Sequence, residues 1–207
     1  MQYGLDLARI SLSQYRELLK QQNLLPGRRM LHDGIDEKFE RMAKYGVRTV
    51  AELKKRLSSP EKRTAFADET GIADEYMILL KREIGSMEQK PVPLSGFPGV
   101  DNKLITELNG RGIKTSKDYF EKGGAQDGEL SALCELVRIN GVGGIAARMF
   151  YEAGCRSVTD VAKADAPILL AAVTRVNETK HYYGAKLGEK DMQFCIDFAN
   201  LLVRYGG

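Results

Sequence analysis

Residues 139–157 read INGVGGIAARMFYEAGCRS, and this stretch contains the signals that decide the fold. Gly141 and Gly143 predict a tight turn, because glycine adopts backbone conformations that are closed to other residues. Gly154 predicts the end of the helix that follows, since a left-handed glycine commonly terminates a helix. The hydroxyl of Ser157 then predicts the cap of another helix. The stretch therefore predicts a turn, a helix, a glycine stop and a capped second helix.

The same pattern occurs three times along the chain. Each copy of the stop reads glycine, apolar, basic, hydroxyl: Gly46-Val47-Arg48-Thr49, Gly112-Ile113-Lys114-Thr115 and Gly154-Cys155-Arg156-Ser157. An acid three residues after each hydroxyl indicates a capping box, with the preferred Glu only in the first copy: Glu52, Asp118 and Asp160. Thirteen residues before each glycine lies another turn: Asp33-Gly34-Ile35, Gly99-Val100-Asp101 and Gly141-Val142-Gly143. A motif at constant internal spacing predicts repeated helical units.

Apolar residues at helical spacing complete these units. Two positions of each intervening helix are apolar: Phe39 and Met42, Ile105 and Leu108, Ala147 and Phe150. A fourth, incomplete copy is predicted at Thr70-Gly71-Ile72-Ala73. Two adjacent stripes predict a closing amphipathic helix: Met192, Ile196 and Ala199 in one, Phe194, Phe198 and Leu201 in the other. No alternating run is convincing as a strand, so we predict an all-α fold of about ten to twelve short helices.

The segment Lys90-Pro91-Val92-Pro93-Leu94 predicts the domain boundary, because two prolines flanking one residue are incompatible with a helix interior. We expect an N-terminal half, 1–90, with one full and one partial unit. The C-terminal half, 91–207, then has two units and the closing helix. Two further loops are predicted, one from Gly123-Gly124 through Gly128 and one from Lys180 to Gly188.

Composition argues against several functional classes. The 207 residues include only three cysteines and two histidines, and no Cys-x-x-Cys or His-x-x-x-His pair, so neither a disulfide framework nor a metal site is expected. No glycine-rich phosphate loop of the nucleotide-hydrolase type is present. We therefore predict a protein that is not an enzyme, has no cofactor and has no small-molecule substrate. No apolar run is long enough to span a bilayer, and the N-terminus lacks the apolar core of a secretory signal, so we expect a cytoplasmic location away from membranes.

The net charge of +3 is unevenly distributed. Residues 1–58 contain twelve Lys and Arg against seven Asp and Glu, so the positive excess lies in the N-terminal quarter. A basic patch there is predicted from Arg28, Arg29, Lys54, Lys55 and Arg56, and such a patch favours a polyanionic partner. The alternative is a solvated helical surface, in which Arg28 and Arg29 pair with Asp33 and Asp36.

Residues 139–154 resemble a helix-hairpin-helix motif, and Leu94 to Ile113 resemble a degraded second example. The order of the units resembles a bacterial domain family of unknown function built from tandem helix-hairpin-helix repeats, of the SAM-like type, over most of the chain from Leu25 onward. The resemblance implies the fold, in two pseudo-repeated halves, and says almost nothing about function.

Helix-hairpin-helix motifs elsewhere hold a nucleic-acid phosphate without reading sequence. Carried over by position, the resemblance implies phosphate contacts at Gly141, Val142, Gly143 and Gly144, with Arg148 as a charged partner. The alternative is that these glycines serve only a tight turn. The other two units depart from the motif: Asp101 replaces the second glycine of its turn and Asp33 the first glycine of the other. Tyr182 and Tyr183 with Lys186 either stack on bases or cover a loop.

Two functions from different classes follow. The first is sequence-independent, non-catalytic binding of nucleic acid, DNA above all, through the loop at 141–144. The second is a helical-repeat scaffold for protein–protein interaction, without nucleic-acid binding, which the two degraded turns favour. A third hypothesis, an accessory part of a larger nucleic-acid enzyme assembly, leaves no specific trace in the sequence.

Overall fold

The computed structural model describes residues 2–22, 24–122 and 128–206. The secondary structure of this part of the chain is helical, with no β-strand and only isolated bridges, which confirms the all-α prediction. The chain divides into two compact units: an N-terminal unit, Asp6–Glu88, and a C-terminal unit, which joins the described parts of Met1–Leu5 and Gln89–Gly207. The predicted linker at 90–94 thus begins just inside the C-terminal unit, and the first residues of the chain also belong to that unit.

The N-terminal unit consists of five α-helices and one 3-10 helix. Their bounds are α1 Leu12–Gln21, η1 Pro26–His32, α2 Ile35–Lys44, α3 Val50–Arg56, α4 Pro60–Thr70 and α5 Asp74–Ser86. Large side chains from three of these helices fill the core: Tyr15, Phe39 and Tyr76 are almost fully buried. The Tyr76 hydroxyl donates a hydrogen bond to the Leu31 carbonyl, at 3.0 Å, so the polar end of this buried ring is satisfied.

The C-terminal unit contains the other described helices. They are η2 Leu94–Gly96, α6 Asn102–Gly110, α7 Ser116–Lys122, α8 Glu129–Leu136, α9 Gly144–Glu152, α10 Val158–Ala162, α11 Ala166–Lys180 and α12 Glu189–Tyr205. The closing helix α12 packs on α10 and α11, while α8 lies between α7 and α9. The stretch around the two prolines runs beside the start of α7, where Ser116 N donates to the Val92 carbonyl at 2.8 Å.

The three glycine stops have the geometry that their sequence predicts. Gly46, Gly112 and Gly154 have φ of +87°, +76° and +100°, which is the left-handed region that favours glycine. The apolar residue after each of them is buried: Val47, Ile113 and Cys155. Each hydroxyl then accepts the backbone N–H three residues on, as an N-cap does: Thr49, Thr115 and Ser157.

The apolar positions predicted inside the three helices are all buried: Phe39, Met42, Ile105, Leu108, Ala147 and Phe150. The closing helix differs from its prediction in one place. The stripe of Met192, Ile196 and Ala199 is buried, but Phe194 in the second stripe is 48% exposed. The loop predicted from Lys180 to Gly188 is confirmed, since α11 ends at Lys180 and α12 begins at Glu189. The other predicted loop falls on residues 123–127, which lie outside the described residues.

Candidate functional site

The turn between α8 and α9 brings the four predicted loop residues together. Val142 N donates to the Ile139 carbonyl at 3.0 Å, and the Val142 side chain is completely buried. Gly141 has a φ of +84°, and an added Cβ there would touch the ring of Phe194 at 3.4 Å. Gly143 is the N-cap of α9 and has an extended backbone, with φ −87° and ψ −178°. The turn therefore has one buried apolar residue, Val142, between two exposed glycines, Gly141 and Gly143.

Gly143 and Gly144 are glycines for different reasons. A Cβ on Gly144 would overlap the carbonyl oxygen of Gly96 in η2, so only glycine allows α9 to approach this turn. Gly143 is exposed, has no heavy atom within 4 Å of an added Cβ, and has a φ that every residue adopts. Neither packing nor backbone conformation explains the glycine at 143. Gly144, by contrast, is a buried packing residue.

The N-terminus of α9 also differs from those of the two other predicted hairpin helices. It has no side-chain cap and no acidic residue in its first turn. In α6 the carboxylate of Asp101 caps the helix by accepting Lys103 N at 2.9 Å. In α2 the first turn contains Asp36 and Glu37. Because a helix N-terminus carries partial positive charge, these carboxylates compete with any external anion, and only α9 leaves its first amides without such a competitor.

Arg148 is buried and bonded within the protein, so it is not exposed to solvent as its predicted phosphate contact requires. It is only 4% exposed, and its Nε donates to the Pro98 carbonyl at 2.7 Å. Its Nη2 forms an ion pair with Glu129 at 2.5 Å. Hydrogen bonding to this guanidinium lowers the pKa of the Glu129 carboxyl. Arg148 thus joins α9 to the turn before α6 and to α8, and its charge is already neutralised.

A cavity of about 320 Å³ opens beside the hairpin turn. Its lining includes Gly141, Val142 and Ala146 around the turn, and Tyr183, Lys186 and Leu187 of the loop between α11 and α12. The other apolar lining residues are almost fully buried: Met149, Phe150, Val173, Met192 and Cys195. Asp191 contributes an acid to the lining, and one of its oxygens accepts Gly188 N at 2.8 Å. The turn and the Tyr183–Lys186 segment therefore share one concave surface.

Three lysines lie in or directly beside the loop between α11 and α12. Lys180, Lys186 and Lys190 are exposed, and none of them forms an ion pair with any residue that the structure describes. Asn177 holds the loop: its Nδ2 donates to the Tyr183 carbonyl and its Oδ1 accepts Tyr183 N, both at 2.8 Å. Sequence reasoning did not identify Lys180 and Lys190 as candidate site residues. Lys180 ends α11 and Lys190 lies in the first turn of α12, and the exposed acids Glu178, Glu189 and Asp191 lie among the three lysines.

The two tyrosines of this loop have different surroundings. The Tyr182 hydroxyl donates to Glu152 at 2.8 Å, so this ring is tied to α9. Tyr183 is 44% exposed and lines the cavity, where its ring is accessible. The structure therefore leaves Tyr183, and not Tyr182, as the aromatic residue available for stacking. Phe194, which touches Gly141, is a second exposed ring that the sequence had assigned to the core.

The predicted basic patch of the N-terminal unit is largely neutralised. Arg28 pairs with the buried Glu83 at 2.6 Å, Lys54 with Glu88 at 2.6 Å, and Arg56 with Glu69 at 3.4 Å. Of the five patch residues only Arg29 and Lys55 are exposed without an ion pair in the described chain. The alternative prediction paired Arg28 and Arg29 with Asp33 and Asp36, and these partners are wrong. Arg28 pairs with Glu83, and Asp36 pairs with Arg16 and Lys20. The patch is thus a mostly compensated helical surface.

The cysteines are free and buried. Burial raises the pKa of Cys134 to about 12 and, with a smaller contribution from Asp191, that of Cys195 to about 12, so these thiols stay protonated at neutral pH. Within 2–22, 24–122 and 128–206, no three His, Cys, Asp or Glu side chains are grouped as a metal site requires. No helix in these ranges has the length and apolar character of a membrane span.

Residues 131–204 match a family model described as a domain of unknown function, DUF7898. This range runs from α8 into α12 and contains the α8–α9 turn, the residues that line the cavity and the loop between α11 and α12. It is shorter than the range from Leu25 onward over which the sequence resembles a tandem-repeat family. Neither the curated proteins nor the solved structures contain a detectable match to the chain.

Proposed function

We propose that the C-terminal unit is a non-catalytic module that binds nucleic acid, DNA in the first instance, without reading its sequence. In this proposal the three turn–helix–stop segments are tandem helix-hairpin-helix units, and only the α8–α9 turn keeps the capacity to hold a phosphate. A cytoplasmic location remains the expectation for such a module.

The observation that carries the proposal is the exposed, unconstrained glycine at 143. Glycine is itself a favoured N-cap residue, and at 143 it leaves the start of α9 without a capping side chain, so an external anion can approach the backbone closely. It stands at the start of α9, where backbone N–H groups and the helix dipole favour an anion. Gly141 and Gly143 would admit the phosphate, Val142 would anchor the turn, and Gly144 would set the position of the helix.

The charge around the turn is consistent with this role. Lys186 lines the same cavity as Gly141, while Lys180 and Lys190 flank it in the chain. These lysines replace Arg148 as the cationic partners of the ligand, because Arg148 is buried against Glu129. One anion-accepting turn and a few lysines neutralise only two or three phosphates. We therefore expect weak affinity with a clear salt dependence.

The test is fluorescence anisotropy with labelled DNA at about 50 and 200 mM salt, the range in which phosphate contacts appear as a slope. Binding should weaken roughly ten- to fortyfold between these concentrations for two or three neutralised phosphates on duplex DNA. Gly143→Asp should abolish most of the binding, because it places a carboxylate where the phosphate would sit. This variant should fold well, since aspartate is a favoured N-cap residue.

Gly110→Asp is the matched control for charge. Gly110 lies in the same unit at the exposed end of α6, and an added Cβ there meets nothing within 4 Å. This variant should bind DNA nearly as well as the unaltered protein. Lys186→Gln should weaken binding and reduce the salt slope by about one, whereas Lys103→Gln on α6 should not. Equal losses in Gly143→Asp and Gly110→Asp would mean that only net charge matters and would refute the turn as a phosphate site.

A protein-binding scaffold is the second candidate, and exposed apolar side chains beside the turn favour it. Phe194 is 48% exposed and Ile145 is 43% exposed, next to Gly141 and Gly144 respectively. A partner protein would bury such residues. Absence of DNA binding at low salt, together with a concentration-dependent dimer in light scattering that Phe194→Ser abolishes, would favour this function over the first.

A further inference from the structure

A cavity of about 320 Å³ lies beside the α8–α9 turn, and the proposed function assigns no ligand to its interior. We infer that it receives an unpaired base of the nucleic acid whose phosphate lies on the α8–α9 turn, so that the protein prefers single strands to duplexes. This inference rests on the proposed function and identifies the class of nucleic acid that the site takes.

The size and lining of the cavity fit such a ligand. Its volume of about 320 Å³ lies at the small end of ligand sites, which span roughly 300–1,000 Å³. Most of the lining is apolar, although Met149 and Met192 within it are almost fully buried and expose little of their side chains. A base is a flat aromatic ring with a polar edge. Apolar walls suit its faces, and a few polar groups suit its edge.

The cavity lining contains both a hydrogen-bond acceptor and a hydrogen-bond donor, and the edge of a base requires both. Asp191 offers a carboxylate, which accepts hydrogen bonds from ring or amino N–H groups. Lys186 offers an ammonium, which donates to carbonyl oxygens or to the adjacent phosphate. An acid in the lining disfavours a bare phosphate inside the cavity. The phosphate is therefore assigned to the turn and the base to the cavity.

The position of Tyr183 is fixed before any ligand arrives. Asn177 Nδ2 donates to the Tyr183 carbonyl and Asn177 Oδ1 accepts Tyr183 N, both at 2.8 Å, and these bonds fix the backbone of Tyr183, which is 44% exposed. A residue whose backbone is already fixed loses less conformational entropy when its side chain stacks on a base. Stacking of this kind is independent of sequence, because every base has a π-face.

A base-paired duplex has no unpaired base to place in the cavity unless one is extruded, which costs free energy. Extruding a base from a duplex requires it to be unpaired and unstacked, at a cost of a few kcal/mol. Bases in a single strand are free of pairing, and the strand is flexible enough to place one phosphate on the turn and a neighbouring base in the cavity. Lys186 lines the cavity and is the lysine placed to contact a strand backbone, while Lys180 and Lys190 lie at the adjoining helix ends among the acids Glu178, Glu189 and Asp191.

The test compares three probes by anisotropy at one salt concentration: a short oligothymidylate, the same length of abasic sugar-phosphate chain, and a duplex of that length. The oligothymidylate and the abasic chain carry the same phosphates, so their difference reports the base alone. We expect the oligothymidylate to bind at least about fivefold more tightly than the abasic chain, the lower limit for one stacked base. The duplex should also bind more weakly than the oligothymidylate.

Ala146→Leu fills the cavity from its half-buried position on α9 and should reduce the affinity of the oligothymidylate to that of the abasic chain. Ala172→Leu is the matched control, because Ala172 is equally half-buried in a helix and does not line the cavity. Tyr183→Leu should reduce the same difference without unfolding the loop, which Asn177 holds through the backbone.

The outcomes separate the two proposals. Equal binding of the oligothymidylate and the abasic chain, both sensitive to Gly143→Asp, would overturn the base site and leave phosphate binding intact. Binding of none of the three probes would overturn both. Loss of the base preference in Ala146→Leu but not in Ala172→Leu would establish the cavity as the base site.

Discussion

At the scale of single residues, the adjacent Gly143 and Gly144 show how one residue type serves two purposes. Gly144 faces the carbonyl of Gly96 so closely that no side chain fits between them. Gly143 faces open space and keeps an ordinary backbone conformation. A side chain is therefore excluded by the protein itself at 144, whereas at 143 the protein tolerates one. Packing therefore does not require glycine at 143, and the glycine leaves the first amides of α9 without a capping side chain.

Alanine should destabilise the protein at 144 and leave its stability almost unchanged at 143. Gly144→Ala should lower the free energy of unfolding by about 1–3 kcal/mol, since overpacking forces the backbone apart. Gly143→Ala should change it by less than about 0.5 kcal/mol, because the reduced entropy of the unfolded chain offsets the poorer N-cap preference of alanine. Urea unfolding followed by circular dichroism measures both. A destabilisation of Gly143→Ala as large as that of Gly144→Ala would show that 143 is a packing residue after all.

Arg148 belongs to the same scale and shows the effect of burial on charge. With its guanidinium bound to the Pro98 carbonyl and to Glu129, its substitution removes a structural contact between three segments of the C-terminal unit. In the sequence, an arginine one helical turn after a glycine loop is a reasonable candidate phosphate ligand. Its partners in the tertiary structure, Pro98 and Glu129, show that it is already bound within the protein. The burial of Arg148 transfers the cationic role to the lysines of the α11–α12 loop.

At the scale of elements, the glycine stops and their caps explain why the chain breaks into short helices. In the second copy, the Asp118 carboxylate accepts Thr115 N at 3.0 Å and Lys114 N at 3.2 Å, while the Thr115 hydroxyl accepts Asp118 N at 3.1 Å. Hydrogen bonds from Thr115 and Lys122 hold the pKa of Asp118 at about 2. The start of α7 is therefore stabilised by the ionised form of this carboxyl.

Asp118→Asn should lower the melting temperature at neutral pH, and the difference from the unaltered protein should depend on pH. A carboxyl with a depressed pKa contributes its full stability above the unfolded pKa of about 3.9. That contribution is lost as the pH falls through the folded value of about 2. Thermal unfolding between pH 7 and pH 2 should therefore show a gap that closes below about pH 4.

The control for this prediction is Asp197→Asn, which removes the same charge from α12, where the carboxylate accepts only Gln193 Nε2. Its effect on the melting temperature should be small across the range. A gap for Asp118→Asn that stays constant down to pH 2 would mean that Asp118 contributes through its shape and not through its charge.

At the scale of the whole molecule, the first residues of the chain belong to the C-terminal unit. Tyr3 is buried, with its hydroxyl 2.6 Å from Ser116 Oγ and its ring in edge contact with Phe120. The Tyr3 carbonyl accepts Arg138 Nε at 2.8 Å, and Leu5 forms a bridge with Gly206. One side chain near the start of the sequence thus completes the core of the unit that begins again at Gln89.

Tyr3→Ala should destabilise the C-terminal unit by about 3–5 kcal/mol, as truncation of a buried aromatic ring typically does. Native-state hydrogen exchange gives the location of the effect, since it resolves local unfolding. Amides of α7 and α8 should lose protection. Tyr45→Ala, which truncates a half-exposed ring in the N-terminal unit, should leave that protection unchanged. Full protection of α7 and α8 in Tyr3→Ala would contradict this role for the N-terminal residues.

The sequence by itself determined the local structure of this protein. Helical periodicity, left-handed glycines and hydroxyl caps act between residues three or four apart, so the all-α class, the three stops, the buried positions at Phe39 or Phe150 and the loop after Lys180 were all predictable. The capping role of Asp101 was predictable for the same reason, because its partner is two residues away. The turn at 141–144 was also predictable, from its glycines.

Only the tertiary structure decided which of these residues are free to act. The partners of Arg148, Arg28, Lys54 and Gly144 lie between 19 and 55 residues away in the chain, and no local pattern specifies them. Burial and ion pairing depend on which helices meet, and that depends on the packing of whole faces. The same packing placed Gly141 and Lys186 on one cavity and left Phe194 exposed. The candidate site therefore follows from contacts between distant segments, whereas its separate parts follow from local sequence.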